Sequence, residues 1–278
     1  MVFERKLPER RFTLLERDTL SVDMLTKEQL SVLARKNGIP LFTQERDYVQ
    51  VLFLSRLYEH KIPLVFKGGT CLKLVHGSPR FSEDLDFTCL EKPKDIKPMF
   101  ENALEELRLI GLDGKLNKEK KLKLAVSYRL RYKGPLYTGK PTSMGSIRFD
   151  ISLRKDMLLD PELSTVSSNY PDAPPFLASC MPIEEIFAEK IRALLKRSKP
   201  RDIYDVWFLL NRGVKVDAEL INKKIELQGL KFDLKRLKTQ IENKRNDWKN
   251  DLSPLLASTP DFDGVKNNLI KKLEEIFE

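Results

Sequence analysis

Apolar and polar positions along this 278-residue chain recur at two periods, and the switches between them outline its elements. Thr26-Lys27-Glu28-Gln29 fits a capping box that opens a helix running to about Asn37-Gly38. Residues 43–60 read as a longer helix with Val49, Leu52, Phe53 and Leu57 on its apolar side. Leu64-Val65-Phe66 is a short buried strand, broken by Gly68-Gly69, and a helix starts after it with Thr70 as N-cap. Residues 81–89 then alternate, with Leu85 and Phe87 on one face and Ser82, Asp84, Asp86 and Thr88 on the other. Helical pattern returns around 95–109. The run 122–132 alternates cleanly as one long strand, with Leu122, Leu124, Val126, Tyr128, Leu130 and Tyr132 opposite a basic face of Lys121, Lys123, Arg129 and Arg131. Such a face is half-solvated more often than it binds RNA. Residues 146–154 alternate again, with Ile147, Phe149, Ile151 and Leu153 facing away from Ser146, Arg148, Asp150, Ser152 and Arg154. The stretch 161–182 is rich in proline and serine without either period, and is read as a domain boundary. Beyond it the pattern is helical: 182–196, 200–210, 217–228, 233–248 and 264–277. No internal repeat and no extended low-complexity tract interrupts this order.

Composition narrows the picture. The length allows one large or two ordinary domains, and 41% apolar residues support real cores. A net charge of +9 and a pI near 9.3 favour an anionic partner, nucleic acid or nucleotide, without separating the two. Three cysteines, Cys71, Cys89 and Cys180, have no metal-type spacing, and their odd number argues against a disulfide framework. A reducing cytoplasm is the simplest compartment. No apolar run approaches membrane-spanning length, and the charged start MVFERKLPERR lacks the apolar core of a secretory signal.

The candidate chemistry begins with the aspartates. A strand sends Asp84 and Asp86 out of the same side, where they repel each other unless a proton or a metal neutralises them. Asp150 occupies the polar face of its own strand, so pairing of the two strands would bring three carboxylates to one patch. Hard oxygen ligands with open positions suit magnesium. Two such ions about 4 Å apart can activate an attacking hydroxyl and stabilise a leaving pyrophosphate. An isolated D-x-D is usually a solvated strand face; here the strand, the Gly68-Gly69 turn and the helix start at Thr70 add a place for a phosphate.

A second block lies downstream. On the helix 182–196 an apolar arc of Ile183, Ile186, Phe187, Ile191, Leu194 and Leu195 has Lys190 near its centre. An unpartnered ammonium there would be costly. Either its tip snorkels out, or the face meets a polar cleft holding a carboxylate or phosphate, or Lys190 makes a structural pair with Asp202. Lys196-Arg197-Ser198-Lys199-Pro200-Arg201-Asp202 follows, a cationic loop that is either solvated surface or a seat for a triphosphate or RNA backbone, with Arg197 and Lys199 as ligands. On the helix 200–210 Asp202 borders the stripe of Ile203, Val206, Trp207, Leu209 and Leu210, and Asp205 lies one turn on. The helix dipole accounts for first-turn aspartates equally well. Arg80, just before the paired acids, is a further candidate phosphate ligand.

The segment FKGGTCLKLVHGSPRFSEDLDF resembles the core motif of the DNA polymerase beta-type nucleotidyltransferase superfamily, and more closely its AbiEii/AbiGii (MenT-like) toxin branch. The resemblance covers residues 64–89 and 182–210 well, with Asp150 between them. It implies an α+β fold: a nucleotidyltransferase core of mixed sheet and flanking helices over residues 1–175, then a helical C-terminal domain over 176–278 that lends Lys190 and Asp202 to the cleft. It also implies Mg²⁺-dependent transfer of a nucleotide from an NTP, with Asp84, Asp86 and Asp150 as metal ligands. Gly68, Gly69, Thr70, Arg80, Arg197 and Lys199 would hold the nucleotide, with Lys190 on its phosphates. Asp202 would orient Lys190 or an arginine, or assist deprotonation of the acceptor. The implied acceptor is RNA at the tRNA 3′ end, and the implied partner a cognate antitoxin. The basic segment 231–249 suits a tRNA-facing surface or a plain charged helix equally. Transfer to a protein or small-molecule hydroxyl, and a non-catalytic RNA-binding protein, are the alternatives.

Overall fold

The computed structural model describes residues 24–91, 95–197 and 199–277; the charged start, Ser198 of the cationic loop and the side chains of Lys120 and Lys121 lie outside that description. Helix α1 (Lys27–Asn37) opens on the expected capping box and closes on Gly38 in the left-handed region. Helix α2 (Leu41–Tyr58) starts two residues earlier than the apolar pattern suggests, because Pro40 is already at the N-cap. Then follow β1 (Leu64–Lys67), α3 (Gly68–Leu74), β2 (Asp84–Cys89), α4 (Lys97–Leu109), β3 (Asp113–Leu122), β4 (Ala125–Lys133) and β5 (Gly145–Ser152). A hairpin of β6 (Glu162–Val166) and β7 (Phe176–Cys180) leads into helices α5 (Ile183–Lys196), α6 (Pro200–Asn211), α7 (Ala218–Glu226), α8 (Leu234–Glu242), α9 (Arg245–Leu252) and α10 (Phe262–Phe277).

Seven strands form one mixed sheet in the order β3-β4-β5-β2-β1-β7-β6. The pairs β2–β5 and β1–β7 are parallel, the rest antiparallel. Alternation gives the sheet two unlike faces. Leu85, Phe87, Ile147, Phe149 and Ile151 are buried on one face, which α2 and α4 cover: the rings of Phe53 and Phe100 lie 4.7 and 4.8 Å from that of Phe149. Each such ring contributes on the order of 2–3 kcal/mol by leaving water. The other face of β2 and β5 carries Asp84, Asp86, Arg148 and Asp150. A carboxylate there needs no burial in hydrocarbon, so the apolar face fixes the register that sets the polar face.

Four expectations change. Helix α3 begins at Gly68, and Thr70 is no N-cap; its hydroxyl donates instead to the Asp84 carbonyl at 2.6 Å. The run 122–132 is two strands: β3 ends at Leu122, a turn at Lys123-Leu124 reverses the chain, and Leu122 pairs with Ala125. A two-residue turn preserves parity, so alternation runs through it unbroken. The stretch 161–182 holds β6 and β7 and reaches the sheet, with β7 beside β1. The helix expected over 233–248 breaks at Asn243-Lys244 into α8 and α9.

Candidate active site

Parallel register between β2 and β5 sets Asp86 opposite Asp150 and Asp84 opposite Arg148, while β1 sets Lys67 opposite Asp86. The strand pairing on which the three-carboxylate patch depends is therefore present. The glycine turn closes over it. Gly68 has φ +77°, and a Cβ there would lie 2.3 Å from Asp86 Oδ2, so both backbone and space require glycine. A Cβ on Gly69 would meet Arg80 Nη2 at 2.6 Å and Ser82 Oγ at 2.9 Å. Thr70, fully buried, ties the turn to the Asp84 carbonyl.

These surroundings oppose negative charge. Burial, then repulsion from Asp150 and Glu83, raises the Asp84 pKa. Burial and then Asp84 push Asp86 up to about 6, although Lys190 and Lys67 pull the other way. Asp150 Oδ1 accepts from the Ser127 hydroxyl and lies 3.0 Å from Arg148 Nη2. Among the described residues no cluster of three or more His, Cys, Asp and Glu side chains is gathered as a ready metal cage. The donor set nonetheless fits a hard divalent cation: all oxygen, with two members whose charge is poorly compensated. Asp150 would join it by turning from Arg148.

Beside Asp86 opens a cleft of about 330 Å³ whose wall carries Lys67, Arg154, Lys190, Arg192, Lys196 and Arg197 against Asp86, Glu189 and Asp202. Its cations are held in place. Lys190 Nζ lies 3.0 Å from Asp202 Oδ1 and 2.7 Å from Asp205 Oδ2. Burial disfavours its charge, yet the two aspartates raise its pKa. Burial likewise works against Asp202, but Lys190 and Arg197 keep it below the ordinary carboxylate range. Both readings of Lys190 thus meet: it makes an ion pair with Asp202, and it borders a polar cleft. Lys67 donates to both oxygens of Glu189 at 3.1 Å. Burial would raise Glu189, but Lys67, Lys224 and Arg192 bring it to about 2.

The remaining expected ligands separate. Arg197 reaches the cleft and lies 3.3 Å from Asp202. Lys199 does not; it lines another groove, of about 390 Å³, with Arg201, Lys244 and Asp251. Arg80 is fully buried and has no nitrogen left for a phosphate. Its Nε and Nη2 donate to the two oxygens of Asp205, both at 2.8 Å, and Nη1 to the Phe81 carbonyl. It fixes Asp205, which fixes Lys190. The sequence reading missed Lys67, Glu189 and Arg154 as parts of this wall, and Asp205 as the buried anchor behind Lys190. Asp205 carries a usable signal, one helical turn beyond Asp202; Lys67 sits directly before the glycine turn. A larger cavity of about 520 Å³, floored by Asp47, Lys73 and Tyr170, contains none of the three carboxylates. Its Asp47–Lys73 pair and the Tyr170 hydroxyl's bond to Asp47 explain themselves as packing.

The model of the family described as nucleotidyl transferase AbiEii toxin, type IV TA system, matches residues 52–277. A search among curated proteins finds no match. Among solved structures, MenT4, a nucleotidyltransferase toxin of Mycobacterium tuberculosis, is 20% identical, with 89% of this chain and 88% of that one covered and a TM-score of 0.64. JHP933 of Helicobacter pylori is 22% identical over 84% of this chain and 94% of its own, with a TM-score of 0.52. At these identities the likeness is one of fold.

Proposed function

The chain belongs to the AbiEii nucleotidyltransferase toxin family, and from that premise we propose that it transfers a nucleotide from an NTP to an RNA hydroxyl, the tRNA 3′ end foremost. The observation that carries the reading is the juxtaposition of Asp84, Asp86 and Asp150 with a cationic cleft opening at Asp86. In the transfer the acceptor oxygen bonds to the α-phosphorus, the bond to the β-phosphate bridge breaks, and pyrophosphate leaves. Asp84, Asp86 and Asp150 would hold Mg²⁺, which supplies charge neutralisation at the reacting phosphate and acidifies the attacking hydroxyl.

This chain's own residues do the rest. The Gly68-Gly69 turn leaves room for a phosphate against the carboxylates. Lys67, Lys190 and Arg197 face the triphosphate, each aimed by a carboxylate partner that anchors it before substrate arrives. Asp202, ionised and buried, serves as the anchor of Lys190 and Arg197 rather than as a base, since its proton affinity is depressed. The helical part of the chain after residue 175 supplies Lys190, Arg197 and Asp202 to this wall, and the core before it supplies the carboxylates and Lys67. Family membership implies an antitoxin as partner, and a cytoplasmic activity would suit NTP and tRNA as substrates. No helix among the described residues is long and apolar enough to cross a membrane.

The test is incubation of the purified protein with total tRNA, Mg²⁺ and each radiolabelled NTP in turn, resolved on a denaturing gel beside Asp84→Ala. Label in tRNA with the unmutated protein alone is expected, and it identifies the donor. Equal labelling by a folded Asp84→Ala protein would sink the carboxylate assignment. Label in no RNA under any NTP moves the acceptor to a protein or small molecule, and failing those to a non-catalytic role.

A further inference from the structure

We propose that Arg46 and Arg201, bridged by Glu83, form a phosphate clamp for the acceptor RNA, on the side of the carboxylates away from the donor cleft. The inference rests on the transfer reading above and adds where the acceptor lies. In-line displacement puts attacker and leaving group on opposite sides of the phosphorus. The donor cleft opens on Asp86 and is not lined by Asp84 or Asp150. The attacking hydroxyl therefore approaches across Asp84, and what stands there selects the acceptor.

Glu83 stands there, next to Asp84 in the chain. Arg46 Nη1, from α2, lies 2.8 Å from Glu83 Oε1, and Arg201 Nη1, from α6, lies 2.9 Å from Glu83 Oε2. Two guanidinium groups share the Glu83 carboxylate, and Asp251 approaches Arg201 from its other side. The cluster is open: the Glu83 side chain is 39% exposed and each arginine 21%. Each arginine spends only one terminal nitrogen on Glu83. Arg201 Nε is buried and lies 3.7 Å from Asp251 Oδ2, so the donors that could meet a phosphate are those of the terminal nitrogens. A guanidinium with spare donors on a fixed fork suits a phosphate oxygen pair.

Beyond Arg201 lies the groove of about 390 Å³ that holds Lys199 and Lys244 together with Asp247 and Asp251, Lys244 being 3.3 Å from Asp247. This gives the stray lysine of the cationic loop a place. Arg197 turns to the donor and Lys199 to the acceptor, so one loop serves both substrates from its two sides. Arg201, Lys199 and Lys244, set in this groove beside Asp247 and Asp251, would meet spaced phosphates of a strand better than a small neutral acceptor.

The experiment uses the full-length protein with tRNA as acceptor, measuring KM for tRNA and for NTP, and tRNA binding by fluorescence anisotropy across a salt series. Arg201→Ala should raise KM and Kd for tRNA about tenfold while KM for NTP stays within about twofold. Arg201→Lys should restore part of the affinity. Lys244→Ala, a surface change that removes no buried contact, should weaken tRNA binding several-fold and lower the salt slope by about one. Lys223→Ala, exposed on α7, is the control for charge alone. Unaltered tRNA binding in both Arg201→Ala and Lys244→Ala, with the unmutated protein active on tRNA, overturns the clamp and leaves the transfer reading standing. A parallel rise in KM for NTP also overturns it, since the arginines would then serve the donor. Failure of the unmutated protein to label tRNA removes the transfer reading, and the clamp with it.

Discussion

Asp86 carries its charge against its surroundings. Burial first, and Asp84 next, raise its pKa to about 6 from an ordinary 3.8, so in the metal-free fold it binds a proton that the unfolded chain has already released. A carboxyl raised in this way stabilises the fold fully below about pH 4, and that contribution disappears as pH rises through about 6. Metal-free protein should therefore lose stability between about pH 4 and pH 7 relative to Asp86→Asn, by on the order of 3 kcal/mol. Thermal melts of the two proteins across that range check this; parallel curves would mean that Asp86 is not strained. The same variant should transfer nothing. Added Mg²⁺ should raise the Tm of the unmutated protein more at pH 8 than at pH 5, since protons compete for the same oxygens. Asp202 pulls the opposite way. Its lowered pKa gives stability that is present above about pH 4 and lost in acid, so the two effects occupy separate windows. At this scale the sequence was a good guide to the carboxylates, because strand parity alone puts Asp84, Asp86 and Asp150 on polar faces. It misled at Arg80, since nothing local says that a fully buried Asp205 waits for it.

At the scale of elements, legibility follows how unequal the two faces of each element are. Strands β2 and β5 alternate hydrocarbon with charge because one face meets α2 and α4, and both were readable. Strand β3, DGKLNKEKKL, lies at the sheet edge with few side chains to bury, and lysines are what an edge strand carries, so it looks like loop. Strand β7 does alternate, with Phe176, Ala178 and Cys180 inward, but only over five residues among prolines. The helices read well where the apolar stripe is wide, as in α5, while the break between α8 and α9 has no glycine or proline to announce it. Helix α7 hides a different feature. Lys224 looks like one more surface lysine, yet it is wholly buried, with Glu185 and Glu189 beside it and the Asp156 carbonyl accepting from it. Glu185 in turn accepts from the Leu158 and Leu159 amides at 2.9 and 2.8 Å. Lys224→Met leaves that carboxylate buried without its cation and should cost about 3–5 kcal/mol. Urea unfolding should show a lower midpoint at unchanged m. A loss under about 1 kcal/mol would mean that water reaches Glu185 and replaces the lysine.

Over the whole molecule, the donor wall depends on a chain of charges that crosses from helices to sheet: Lys224 to Glu189, Glu189 to Lys67, and Lys67 beside Asp86. The sequence gives no hint of this chain, because each link joins residues far apart along it. Hydrocarbon makes the same crossing. One contiguous core runs from Leu25 and Tyr48 through Phe66 and Phe149 to Ile191, Trp248 and Leu273, taking in β7 and α5 without a gap. Two parts that share a core and a buried ionic network should not unfold separately. Nature placed both tryptophans after residue 175: Trp207 on α6 and Trp248 on α9, the latter donating to the Pro260 carbonyl at 2.8 Å. Tryptophan fluorescence thus follows the helical part, whereas far-UV circular dichroism follows every helix and strand. The two signals should fall in a single coincident transition on heating or in urea. If fluorescence is lost first, the helical part opens on its own, and Lys190, Arg197 and Asp202 can leave the carboxylates while the sheet stays folded. The donor cleft would then be a site that assembles, with activity lost at a temperature below that at which the sheet melts. Coincidence means instead that the cleft exists whenever the fold does, as the shared core and the Lys224–Glu189–Lys67 chain require.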